Sequence, residues 1–133
     1  MTETIQLTEL QMAIMRVLWS KGEATAVQIW DVLRPERGLA QTTIATMLSR
    51  LEKRGVIGHH ARSRQFVYYP TVTEPEVRRS MVSELTERLF DGNVAELMAH
   101  LLSAREMTAG DLARVREMIE THENTAEPSN DKR

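Results

Sequence analysis

A Thr or Asn followed three residues later by Gln or Glu precedes one apolar-periodic stretch after another in this chain: Thr8 with Gln11, Thr25 with Gln28, Thr73 with Glu76, and Asn93 with Glu96. Thr108 with Asp111 is a weaker copy. This is the spacing of a capping box, in which side chains at both ends of the first helical turn satisfy otherwise unpaired backbone N–H groups. The residues that follow each box carry helical periodicity. A first helix is predicted from about Glu9 to Lys21, burying Leu10, Ala13, Ile14, Val17 and Leu18, with Gly22 as its stop. A second runs from about Ala26 to Leu33, burying Val27, Trp30 and Leu33, and ends at Arg34-Pro35 because the residue before Pro avoids helical geometry. A third runs from about Thr42 to Arg54, burying Ile44, Met47, Leu48 and Leu51, and Gly55 closes it.

The period then changes. Val56 to Ala61 and Gln65 to Tyr69 are rich in β-branched and aromatic residues, with Arg62, Ser63 and Arg64 between them and Pro70 after. This predicts a β-hairpin with a basic tip, in which Tyr68 and Tyr69 face opposite sides. Three further helices are expected. Glu74 to Phe90 carries Val77, Met81, Leu85 and Leu89. Val94 to Ser103 carries Val94, Leu97, Met98, Leu101 and Leu102, and Ala109 to His122 carries Leu112, Val115, Met118 and Ile119. Three thin stripes cannot close a separate core, so they call for a partner, and a second copy of the chain is the simplest. The expected division is residues 1–72 as a domain of three helices and a hairpin, 73–122 as a helical dimerisation domain, and 123–133 as a polar, disordered tail containing Pro128.

Three helices followed by a two-stranded hairpin is the order of a winged helix-turn-helix, giving a mainly α fold with an appended helical segment. In that fold the third helix enters a DNA major groove. It opens with Gln41, Thr42 and Thr43, with Thr46 a turn later, and these suit base edges. Arg50, Lys53 and Arg54 toward its end, His60 on the hairpin, and Arg62 and Arg64 near its tip suit phosphates. Ala40 to Tyr69 holds five Lys/Arg against Glu52 alone, the most basic stretch of the chain. The charge is split: +3 over residues 1–72 and −5 over residues 73–133. The alternative for this topology is a protein-interaction adaptor that makes no DNA contact. Such an adaptor would bind a protein and keep its activity when Arg62 and Arg64 are neutralised.

Other chemistries have little behind them. With no Cys in 133 residues, disulfides, thiol catalysis and Cys-ligated metals are excluded. His59 and His60 are adjacent on a strand and face apart, so no shared metal is expected. No nucleophile elbow, zinc-protease motif or phosphate-cradling glycine loop is present, so neither an enzyme nor a cofactor is expected. Trp19 and Trp30 read as packing residues, and the 8 Met as adaptable apolar filler. The first residues, MTETIQLTEL, lack the basic and apolar parts of a signal peptide, and no run is long enough to insert in a membrane, so a cytoplasmic protein is expected.

The runs LTELQMAIMRVLWSKGEATAVQIWDVL and TTIATMLSRLEKRGVIGHHARSRQFVYYP resemble the BlaI/MecI/CopY family of bacterial repressors, the penicillinase repressors. Met15 and Trp19, the run Thr46 to Gly55, and the strand end Val67 to Pro70 carry the likeness, which spans residues 7 to about 120. The resemblance implies a homodimer whose N-terminal winged helices bind a palindromic operator in double-stranded DNA. It makes Gln41, Thr42, Thr43 and Thr46 base-facing, and Arg50, Lys53, Arg62 and Arg64 backbone contacts. It also implies interlocked C-terminal helices as the dimer interface. One branch of the family is cut in that region by a membrane sensor protease, at a bond to which His100-Leu101 corresponds here. A copper-sensing branch uses C-terminal cysteines, which this chain lacks.

Overall fold

The computed structural model describes residues 5–104 and 107–126. Its elements are α1 (Glu9–Lys21), β1 (Ala24–Thr25), α2 (Ala26–Arg37), α3 (Gln41–Lys53), β2 (Ile57–Arg62), β3 (Gln65–Pro70), α4 (Glu74–Phe90), α5 (Val94–Ser103) and α6 (Ala109–Ala126). The caps are made as the spacing requires. Gln11 and Thr8 exchange bonds of 3.1 and 2.9 Å, and the same reciprocal pair forms at Thr25–Gln28, Thr73–Glu76 and Thr108–Asp111. At α5 the Glu96 amide donates to Asn93 Oδ1 at 3.0 Å.

The chain forms two compact units, residues 1–84 and 85–133. In the first, the inward faces of α1, α2 and α3 meet. Ile14, Met15, Leu18, Ile29, Ile44, Leu48 and Leu51 are all fully buried, each stabilising the fold by about 1.5–3 kcal/mol relative to exposure. The sheet has the antiparallel order β1-β3-β2, pairing Ala24 with Tyr68 and His60 with Val67. The order helix, short strand, helix, helix, hairpin is a winged helix-turn-helix. The tryptophans tie its parts together: Trp19 Nε1 donates to the Val72 carbonyl at 2.9 Å and Trp30 Nε1 to the Leu39 carbonyl at 2.7 Å.

Four expectations shift. On α2, Val27 is exposed rather than buried, and Ile29, two residues on, fills the core position. The first unit continues to Glu84 rather than stopping at residue 72, because α4 packs onto it: Val77 is fully buried, Met81 rests against the same core, and Ser80 Oγ accepts the Ile5 amide at 2.7 Å. Helix α2 passes through Pro35 to Arg37. Pro35 is exposed, and Gly38 at φ +60° ends the helix instead. The bidentate pair from Arg37 to Glu9, at 2.8 and 2.7 Å, secures that last turn. Helix α6 runs to Ala126, past the expected start of the tail at residue 123, since Pro128 is the first helix breaker in that stretch. Residues 127–133 of the expected tail lie outside the described residues.

The second unit is built differently. Among its described residues Thr86 is the one buried side chain. Leu89, Val94, Leu102, Met118 and Ile119 are each at least half exposed. Its helices carry apolar faces with no interior for them to enclose.

Candidate nucleic-acid interface

Helix α3 is sorted cleanly by burial. Ile44, Leu48 and Leu51 point into the core. Thr42, Thr46, Ser49 and Lys53 are all exposed. They follow one another at intervals of four, three and four residues, the spacing of a single helical stripe. Of these, Ser49 was not expected from the sequence. Its exposure and its place between Thr46 and Lys53 on the outward face are what single it out. Gln41 is exposed at the first residue of the helix, on the flank of that stripe by helical geometry, and Thr43 is half-buried. Arg50 is exposed beside the stripe.

The start of α3 differs from the capped helices. Ala40 has no side chain to offer the first amides, and the Thr43 N–H makes do with the Ala40 carbonyl at 3.1 Å. Short polar side chains and open backbone donors therefore sit together at this end of the helix.

The hairpin has a two-residue tip. Arg62 belongs to β2 and pairs with Gln65, leaving Ser63 at φ +51° and Arg64 at φ +68°. Both lie in the left-handed region, where a residue with a Cβ is held at a cost of about 1–2 kcal/mol. The signs match the tight hairpin turn that suits strand twist. This turn fixes Arg64 beyond the strand ends, exposed.

The cations expected to meet phosphate fall into two sets. Arg50, Lys53 and Arg64 have no ion pair among the described residues. The others are engaged. Arg54 Nη1 donates to the Gln6 carbonyl and fastens the segment before α1. Arg62 Nη1 donates to Glu23 Oε2 at 2.9 Å, and His60 Nε2 lies 3.4 Å from Glu23 Oε1. Arg62 foremost, then His60, holds the Glu23 carboxyl below the usual carboxylate range. His59 faces the other way: its Nδ1 lies 2.7 Å from Glu52 Oε2, and its ring stacks on Phe66 with centroids 4.2 Å apart. The two histidines thus sit on opposite faces, each beside its own carboxylate. Burial, with the Glu52 charge adding to it, pushes the Tyr68 hydroxyl above its ordinary pKa, while Tyr69 is exposed.

Comparison with known proteins settles the family. The model of the penicillinase repressor family matches residues 7–121. The chain belongs to this family. A penicillinase repressor from Bacillus licheniformis is 24% identical over 119 residues, 90% of this chain and 93% of that protein. An uncharacterized 16.5 kDa protein from Latilactobacillus sakei is 27% identical over 123 residues, 92% of this chain and 84% of its own. The solution structure of the DNA-binding domain of the repressor BlaI is 31% identical, with a TM-score of 0.50, over 56% of this chain and 90% of that one. Family and fold together make this chain a DNA-binding transcriptional repressor, in a family of repressors rather than enzymes. Among the described residues no helix is long and apolar enough to cross a membrane.

Proposed function

We propose that this repressor acts as a homodimer on a palindromic operator, with α3 of each chain in successive major grooves. Gln41, Thr42, Thr43 and Thr46 read base edges in this arrangement, and Arg50, Lys53 and Arg64 hold the backbone. The observation that carries the reading is the outward stripe of α3, polar and small at its N-terminal end and cationic at its C-terminal end, set opposite a fully buried apolar face.

Dimerisation falls to the second unit. Leu85 and Leu89 at the end of α4, Met98, Leu101 and Leu102 on α5, and Leu112 and Ile119 on α6 are exposed, with Leu97 and Val115 half-buried. Apolar surface on this scale is stabilised by a second copy. Met81 packs on the first core, which leaves it at most a marginal place in that interface.

Relief follows from weakening the dimer. One half-site alone loses the high effective concentration that the linked second half-site provides. The sensor-protease route would act at His100-Leu101, which lies inside α5, so the helix has to unwind before the bond can enter a protease.

Fluorescence anisotropy on a short duplex from this chain's own upstream region, over a salt series and against scrambled DNA, tests the reading. A steep salt dependence and a preference of roughly a thousandfold for the upstream duplex are expected. Absence of binding even at low salt would overturn it.

A further inference from the structure

The wing's cations are not equivalent. His60 and Arg62 stand two residues apart on β2 and so project from one face. Strand β1 lies beyond β3 in the sheet, and Glu23 immediately precedes β1. The Glu23 carboxylate therefore reaches across β3 and spans both: one oxygen is 2.9 Å from Arg62 Nη1, the other 3.4 Å from His60 Nε2. Tyr69 stacks beside His60 on the same face, with ring centroids 5.9 Å apart. Arg64, two residues further along, has no such anion among the described residues.

We propose that Glu23 is a built-in counter-ion that limits how much of the wing's charge reaches the DNA backbone. This rests on the DNA-binding reading above. Glu23 and Arg62 together carry no net charge. A phosphate approaching Arg62 either displaces Glu23 or meets its repulsion. The side chains of the pair are 58% and 41% exposed, so the carboxylate is screened and exchangeable rather than locked. Salt dependence counts the phosphates that the protein's cations neutralise, at about 0.9 of slope for each, and an Arg62 held by Glu23 neutralises none. Arg64 then supplies nearly all of the wing's share in the wild-type protein, and Arg62 very little. The function of such a device is to hold down sequence-independent adhesion, which would otherwise spread the repressor over the whole genome.

The test uses the full chain and a mixed-sequence duplex, because the effect is independent of sequence. Binding is followed by anisotropy over a salt series for the wild type, Glu23→Gln, Arg62→Ala and the double variant. Glu23→Gln is expected to bind about threefold to tenfold more tightly at low salt, with a slope steeper by about 0.9, so its advantage shrinks about threefold for each fourfold rise in salt. Arg62→Ala should barely alter the wild-type slope, yet remove that gain in the Glu23→Gln background. If Glu23→Gln keeps wild-type affinity and slope while Arg62→Ala alone flattens the slope, Arg62 reaches phosphate unhindered and the proposal is wrong. Weaker binding by Glu23→Gln also overturns it, since the carboxylate would then be placing the wing productively. Thermal midpoints identify any folding defect, in which case Glu23→Ala is read on the same slope criterion. A wild-type protein with no salt-dependent affinity for any duplex is a different failure, visible before any variant is made, and it removes the DNA reading along with the proposal.

Discussion

Arg64 stands at φ +68° on a turn that would more comfortably hold glycine, and it has no ion pair among the described residues. Strain of this kind is retained where the side chain is needed. Arg64→Ala is therefore expected to weaken binding to all duplexes alike and to lower the salt slope by about one unit; a change in base preference instead would make the wing a sequence reader. Elsewhere in the first unit, hydrogen bonding to Arg37 foremost holds the Glu9 carboxyl below its ordinary value of 4.5. A depressed folded-state pKa means that this contribution to stability is present above that value and lost as pH falls through the lower, folded one. Thermal midpoints measured down an acid series should fall more steeply for the wild type than for Glu9→Gln, and parallel curves would show the pair to be inert. The identities of the exposed cations could be read from the sequence, but not their availability. Arg62 finds its carboxylate 39 residues away and Arg54 its carbonyl 48 residues away, and no local pattern reports such partners.

Elements were readable where their signals are local. A capping box spans four residues, and Thr8, Thr25, Thr73 and Asn93 each start a helix. The hairpin declared itself by its change of period. Strand β1 could not, because two residues have no periodicity; Ala24 and Thr25 become a strand only by pairing with Tyr68 and Val67. Pro35 was misread for a related reason: the bias against helix before Pro is local, whereas the Arg37–Glu9 pair that ties down the turn after it joins residues 28 apart. Helix α3 is the informative exception to the capping pattern. Ala40→Ser should supply the missing acceptor and raise stability by about 1 kcal/mol, measured by urea unfolding. An unchanged midpoint would mean that those first amides are already well solvated.

At the scale of the whole molecule, the helical stripes of the second unit were visible in the sequence, whereas the extent of the first unit was not. Val77 and Met81 continue the same stripe as Leu85 and Leu89, yet they pack on the winged-helix core while the latter two are exposed. Periodicity says which face of a helix is apolar and is silent on what covers it. Leu101, 45% exposed, gives the direct test. Leu101→Asp should leave the isolated chain folded and yield monomers in sedimentation equilibrium; a dimer of normal strength would place that face outside the interface.

On the proposed homodimer reading, the apolar faces of the second unit also tie the repressor to its own abundance. In that reading, where the dimer is scarce its quantity rises as the square of chain number, so growth alone, by diluting the chain between rounds of synthesis, would loosen repression faster than it dilutes protein. The exposed leucines of α4 and α5 would thereby make the level of this chain an input to the circuit it controls.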